Sequence, residues 1–351
     1  MVKRWNMDKQ TVFITGSSGF IGSNLTEYLL KRGYRVIALD EKAPRRVYQE
    51  YRCADSLDTG EKDWDLVNIR GDIRDEALLR KIFLGHIDYV IHLAALSTLQ
   101  LGAEDRGKTM SVNVGGTEAL LRAAAEYGKL KGLLYASTDK VYGILQGQAY
   151  TEEDTLSPVN SPYDCSKAEA DRLVRERSKE YGIPGVVLRF CNIYGRYDLQ
   201  TTRIVPGAIR AVLEGRECTL RMYRDSDGRL QNFQRDFLYI DDLCETLWRV
   251  LERLESQRKQ NPLWGEAFNL GARRCYSMDE VLCLILKILG SSSSPKIVLS
   301  ETLAEIPKQR MDFSKAAAAF GFVPKTSLEE GLRETTAWWR QYMADRKRGQ
   351  E

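Results

Sequence analysis

The chain has 351 residues, 29% of them charged, with a net charge of only +3. That balance gives no electrostatic case for nucleic acid or an anionic membrane surface as a partner, and no apolar run reaches membrane-spanning length. Seven cysteines without a CxxC pair, together with two histidines, argue against a zinc site and for a reduced, cytoplasmic protein with mostly buried thiols. The opening MVKRWNMDKQ has basic residues with no apolar core behind them, so we do not expect a signal peptide.

Strand-like and helix-like segments alternate from the start. Thr11–Thr15 is short, β-branched and apolar, which predicts a buried strand. A Gly-rich turn and a helix to Arg32 follow, with Gly33 placed to end it. Tyr34–Leu39, Leu66–Ile69, Tyr89–Leu93, Leu133–Ala136 and Val186–Phe190 repeat the strand pattern, with helices near Asp75–Phe83, Met110–Tyr127 and Ser166–Tyr181. This rhythm predicts an α/β fold with a doubly wound parallel Rossmann sheet over residues 1–190. Beyond it the pattern loosens. Helices are expected over Arg203–Gly215, Asp241–Arg253 and Ser277–Leu289, with short strands at Cys218–Met222 and Ala267–Leu270. Asp227-Gly228 signals a turn between two strand pieces. Residues 191–351 therefore read as a smaller mixed α/β substrate lobe, with some segments returning to the sheet.

Between the first strand and the first helix runs Gly16-Ser17-Ser18-Gly19-Phe20-Ile21-Gly22. In that context Gly16 allows a tight turn, Gly19 lets backbone approach a pyrophosphate, and Gly22 lets helix and strand pack closely. The helix N-terminus, with Ser18, Phe20 and Ile21 around it, offers N–H donors to phosphate. Asp40, at the end of the second strand, is placed to accept both ribose hydroxyls and to repel a 2′-phosphate, so the cofactor expected is NAD rather than NADP; Arg45 and Arg46 lie close by in sequence and keep NADP as the alternative. Asp72 and Ile73 follow the third strand, where they hold adenine or where Asp72 caps a turn. Leu93, Ala94 and Ala95 put small residues where a cofactor can lie against backbone.

The stretch Tyr135–Gly143 reads YASTDKVYG. A hydroxyl, an acid and an amine, Thr138, Asp139 and Lys140, thus follow a buried strand, a costly placement unless they serve chemistry. Tyr163 and Lys167 stand four apart, on one face of a helix. An ammonium beside a phenol favours phenolate, and such a tyrosine exchanges a proton with an alcohol while hydride moves to a nicotinamide. The plain alternatives are a shared surface face for Tyr163 and Lys167, and a structural ion pair for Asp139 and Lys140.

These motifs, with His92–Ala95, Asn113-Val-Gly-Gly-Thr117, Arg189–Gly195, Arg235–Asp242 and Lys325–Leu332, are similar in order and spacing to the extended short-chain dehydrogenase/reductase family over nearly the whole chain. The resemblance implies an NAD-dependent enzyme acting on nucleotide-diphosphate sugars, with Thr138, Tyr163 and Lys167 as the redox triad. It also implies Asn113 near the cofactor, Arg235 on the substrate diphosphate (the alternative being a salt bridge to Asp236 or Asp242), and Asn192 and Arg203 near substrate. Thr-Asp-Lys at 138–140, and the segment Arg203–Arg210, resemble CDP-glucose 4,6-dehydratase-like members. That implies oxidation at C4, removal of the C5 proton by Lys140, protonation of the departing C6 hydroxyl by Asp139, and hydride return to C6. Burial would bring both groups toward neutrality. An epimerase of the same superfamily is the second reading, and a non-catalytic NAD-binding protein the third. Residues Ala95–Lys108 depart from the family pattern, and Arg221–Asn232 is long, either an exposed hairpin or part of a nucleotide pocket. The family further implies a homodimer through the helices near Met110–Tyr127 and Ser166–Tyr181.

Overall fold

The computed structural model describes residues 9–43, 51–54, 64–96, 105–159, 161–256, 262–300 and 305–348. Arg45, Arg46 and residues 97–104 of the atypical segment lie outside them. The chain forms two compact units. One comprises Met1–Ser137, Asn160–Leu188 and Thr246–Phe268; the other comprises Thr138–Val159, Arg189–Glu245 and Asn269–Glu351.

The first unit is built on the expected sheet. Strands β1 (Thr11–Thr15), β2 (Arg35–Asp40), β3 (Cys53–Ala54), β4 (Leu66–Arg70), β5 (Tyr89–His92), β6 (Gly132–Thr138) and β7 (Gly185–Phe190) join the late strand β12 (Ala267–Leu270) in an eight-stranded sheet. From the edge, the order is Ala267–Leu270, β7, β6, β5, β1, β2, β4, β3. The reversal lies between β5 and β2, on either side of β1, which is where ligands gather in such sheets. β1 pairs in parallel with both β2 and β5, Thr15 lying opposite Leu39 and His92.

Alternation of side chains decides what each face buries. Phe13, Ile37, Leu39, Val67, Val90, Leu133 and Val187 share one core with Leu79, Leu120 and Val174, from the helices Glu76–Phe83, Gly116–Tyr127 and Pro162–Glu180. The intervening residues Val12, Ile14, Val36, Leu66 and Leu134 are equally buried and face the opposite way. On that side Arg32, at the end of helix Phe20–Lys31, stacks on Tyr28 and on Trp248 of helix Ile240–Ser256.

Two helix starts differ from expectation. The helix expected at Ser166 begins at Pro162, because Ser161 accepts from Asp164 N as its cap and proline suits the first position. The helix before Tyr127 extends back to Arg106 and carries a π-helical segment at Ser111–Gly115, a feature that period counting does not reveal.

In the second unit, β8 (Asn192–Tyr194) lies parallel to β11 (Gln234–Tyr239), whose other edge pairs antiparallel with β13 (Cys275–Ser277). β9 (Thr219–Arg224) and β10 (Leu230–Asn232) form an exposed hairpin around Asp225–Gly228, extended by β14 (Lys296–Leu299). The buried carboxylate of Asp242 accepts from Lys325 N, Thr326 N and Thr326 Oγ1, which anchors the start of helix Leu328–Lys347. Three of the seven thiols are buried, two half-buried and two exposed, so burial is less general than the spacing suggested.

Residues Asp139–Tyr142 form a 3₁₀ turn closed by Gly143 at φ +74° and ψ −140°. A Cβ there would lie 1.9 Å from Ser157 O. Replacing Gly143→Ala is expected to cost at least about 2 kcal/mol, from backbone strain and overpacking together. A urea titration will show the loss as a lower midpoint.

Candidate active site

The glycine turn follows β1 directly. Gly16 adopts φ +73° and donates to Leu39 O at 2.8 Å; a Cβ there would meet Ala94 N at 2.7 Å. At Gly22 a Cβ would lie 2.2 Å from Gly16 O. Gly19 is looser and exposed, with Gly16 O at 3.2 Å as the nearest contact of an added Cβ. Gly19 also caps helix Phe20–Lys31 without a side-chain acceptor, so the first helical N–H groups are available to an anion. Ser18, Phe20 and Ile21 are half-buried around that end. Asp40 Oδ2 accepts from Ser18 N at 2.9 Å and Oδ1 from Lys42 N at 2.9 Å. The carboxylate thus holds the turn and stays half-buried, with lone pairs left for ribose hydroxyls. These residues fit an NAD molecule, with the pyrophosphate at the helix start and a ribose at Asp40.

Asp72 makes the turn contacts of a cap and stays half-buried. It accepts from Arg74 N at 2.8 Å and pairs with the Arg74 guanidinium, which holds its carboxyl below the usual range. Ile73 is buried against Gly116, where a Cβ would meet its Cγ2 at 2.5 Å.

A buried polar chain runs beneath Leu93, Ala94 and Ala95. Thr117 Oγ1 donates to Asn113 O at 2.6 Å, so it must accept from His92 Nε2, 2.9 Å away. His92 is then the Nε2–H tautomer, and its Nδ1 accepts from Thr15 Oγ1 at 2.7 Å. Thr15 Oγ1 in turn accepts from Ala94 N at 3.2 Å. Burial, with Lys167 nearby, pushes the imidazole down to about 3, in keeping with a neutral ring. Asn113 accepts from Leu96 N at 2.8 Å and donates to Ser166 Oγ at 2.8 Å. Ser166 Oγ also bonds Tyr163 O at 2.8 Å. Asn113 therefore ties the loop after β5 to the start of the tyrosine helix.

Tyr163 lies in the first turn of that helix and Lys167 one turn on. Tyr163 is half-buried and Lys167 buried. The Lys167 Nζ donates to Ala136 O and stands 4.2 Å from the centre of the Tyr135 ring. Burial lowers its pKa to about 7, against the opposing pull of Asp171. Asp171 Oδ2 accepts from Ser137 Oγ at 2.8 Å.

The second unit holds the other candidates. Thr138 caps the 3₁₀ turn, and its hydroxyl donates to Asp139 Oδ1 at 3.1 Å. Asp139 is buried, and burial raises its pKa although Lys140 and Arg235 pull it down. Lys140 is only half-buried, so the burial that would bring both groups toward neutrality is complete at Asp139 alone. Arg235 is buried, donates to Gln234 O at 2.8 Å and Pro307 O at 3.1 Å, and has Glu305 at 4.0 Å. Asp236 instead accepts from Met311 N at 3.1 Å and Ala272 N at 3.3 Å. Burial, helped by Asp139, lifts Asp236 to about 7. Asn192 Nδ2 is buried without a hydrogen-bond partner, as a ligand-facing amide would be. Arg203 is half-exposed and pairs with Asp198 at 3.3 Å.

Sequence reasoning named Asp236 only as a salt-bridge partner for Arg235, and did not single out the pairing of Tyr142, the last residue of the 3₁₀ turn, with Tyr150. Those rings stack at 4.8 Å, Tyr142 donates to Asn269 Oδ1 at 2.7 Å, and Tyr150 to Gly143 O at 2.5 Å. The signal available was the YG ending of YASTDKVYG.

The sheet and its glycine turn define a Rossmann enzyme, with a tyrosine and a lysine one turn apart on one of its helices. Residues 12–271 match the NAD dependent epimerase/dehydratase family. The chain is 30% identical over 347 residues to a dTDP-glucose 4,6-dehydratase of Xanthomonas campestris, covering 94% of this chain and 93% of that protein. It is 26% identical over 338 residues to UDP-glucuronate 4-epimerase 5 of Arabidopsis thaliana, covering 94% and 75%. A Streptomyces venezuelae dTDP-glucose 4,6-dehydratase with NAD bound superposes with a TM-score of 0.79 at 28% identity, covering 95% and 98% of the two chains. A Thermotoga maritima UDP-glucose 4-epimerase does so at 0.79 and 27%, covering 95% and 100%. The protein belongs to the NAD dependent epimerase/dehydratase family, and NAD is its cofactor.

Two shifted groups give pH signatures of opposite sign. Between pH 7 and 10.5 the unfolded chain carries a proton on Lys167 that the fold lacks, so stability rises with pH across that window. In Lys167→Met that rise is expected to vanish, read from urea midpoints at stepped pH. Between pH 3.8 and about 7 the fold instead keeps a proton on Asp236 that the unfolded chain has lost, so stability falls as pH rises. The same titration on Asp236→Asn, which keeps an acceptor for Met311 N and Ala272 N, should show that fall removed.

Proposed function

We propose that the protein is an NAD-dependent nucleotide-diphosphate-sugar 4,6-dehydratase. The observation that carries this reading is Asp139: a buried carboxyl with raised proton affinity, bonded to Thr138 and followed by Lys140. A carboxyl of raised proton affinity next to an amine suits elimination. Simple hydride removal and return at one carbon asks for neither.

NAD, when bound, supplies the hydride acceptor for C4 and the donor for C6. Tyr163 takes the proton of the C4 hydroxyl, with Lys167 favouring its phenolate. Thr138 is the third member of the redox triad that the family resemblance implies. The C4 ketone acidifies the C5 proton, which Lys140 removes, and Asp139 supplies the proton that leaves with the C6 hydroxyl. Each proton transfer contributes about 10²–10⁴ in rate. Arg235 and Arg203 hold the diphosphate, and Asn192 supplies its free amide to the same end of the substrate. The dTDP-glucose 4,6-dehydratase relatives support this reading.

The second reading, C4 epimerisation, is favoured by the UDP-sugar epimerases that match equally well in fold. The two separate in heavy water with a panel of dTDP-, UDP-, GDP- and CDP-hexoses. A dehydratase gives a 4-keto-6-deoxy sugar carrying deuterium at C5; a C4 epimer without deuterium would sink the proposal. In Lys140→Met, C5 exchange should fall at least about 100-fold while reduced cofactor still forms.

A further inference from the structure

Thr138 and Asp139 differ in access. Asp139 is 3% exposed, whereas Thr138 is half-buried. Their side chains meet at 3.1 Å through Asp139 Oδ1, and Oδ2 is buried with no hydrogen-bond partner. The Thr138 hydroxyl oxygen also receives Lys140 N at 3.4 Å as the cap of the 3₁₀ turn, which fixes its rotamer. The acid thus stands behind the hydroxyl.

We propose that Asp139 delivers its proton through the Thr138 hydroxyl, the two side chains acting as a single acid. This deepens the dehydratase reading and rests on it. With Asp139 protonated, its O–H donates to Thr138 Oγ1 and the threonine proton turns outward to the C6 hydroxyl. In the elimination Lys140 takes the C5 proton and the C5–H electron pair becomes the C5–C6 π bond. The C6–O bond breaks, the departing oxygen takes the Thr138 proton, and Thr138 takes the Asp139 proton. Water leaves, Lys140 is an ammonium, Asp139 is a carboxylate, and Thr138 donates to it in the direction found in the structure.

The test uses the full-length enzyme, the nucleotide hexose it turns over, and the 6-deoxy-6-fluoro analogue of that hexose. Fluoride leaves without an acid. Because Thr138 also serves C4 oxidation, the quantity read is elimination per molecule oxidised at C4, from reduced-cofactor absorbance and quenched-product mass spectrometry. Thr138→Val and Asp139→Asn should each lower this ratio at least about 100-fold on the hydroxyl substrate. On the fluoro substrate both should return to within about threefold of the wild type. Thr138→Ser should keep the ratio on both, and Lys140→Met should stay low on both. A normal ratio for Thr138→Val with a defective Asp139→Asn would overturn the relay in favour of direct contact. A Thr138→Val defect that persists on the fluoro substrate would overturn it in favour of a structural role. Wild-type protein that yields no 4-keto-6-deoxy product from any hexose of the panel removes the dehydratase reading and the relay with it.

Discussion

A lysine nitrogen held out of water is the constraint around which the first unit is arranged. An ammonium in that position loses hydration that no single contact restores. Lys167 answers it with the Ala136 carbonyl, the face of the Tyr135 ring and the nearby Asp171. Two successive residues of β6 thereby bond two residues one helical turn apart: Ala136 to Lys167, and Ser137 to Asp171. That double tie fixes the register between β6 and helix Pro162–Glu180. Since Tyr163 is one turn earlier on the same helix, its place along the strand is set by the same two bonds.

The polar chain below the cofactor turn solves a related problem without charge. His92, Thr15, Thr117 and Asn113 satisfy one another with a single self-consistent assignment of donors, and the imidazole stays neutral. Nothing in that chain has a spare donor that a ligand would need to displace. Its effect is mechanical. It sets Ala94 against the glycine turn and Leu96 against Ser166, so two loops that leave neighbouring strands hold one geometry.

The parts of this molecule legible in the sequence are those governed by local rules. The glycine turn, the strand rhythm and the i,i+4 pair each follow from backbone geometry and periodicity, and β1 and Ala267–Leu270 fall where the pattern puts them. Asp72 shows the limit: residue type allowed a cofactor role and a cap, and neither announces that Arg74, two positions on, closes over the carboxylate. Asn113 and Asp236 were harder still. Their partners lie 53 and 75 residues away, at Ser166 and Met311, and a distant partner leaves no trace in spacing. The π-helical turn at Ser111–Gly115 is equally silent, since one extra residue per turn does not alter composition.

Asp139 and Lys140 show why adjacency in sequence does not settle chemistry. Placed side by side at a strand end, they read equally as an ion pair or as an acid and a base. The fold treats them differently. It buries the carboxyl, gives one of its oxygens to Thr138, and leaves the amine half in contact with solvent. The attraction of Lys140 and Arg235 favours a carboxylate, yet burial outweighs both. The like charge of Asp139, in turn, makes the buried Asp236 hold its proton more firmly. An ion pair selected for stability would spend its geometry on bringing the two charges together. Here burial raises the proton affinity of the acid and the fold sets it beside a hydroxyl, the arrangement that suits giving a proton away.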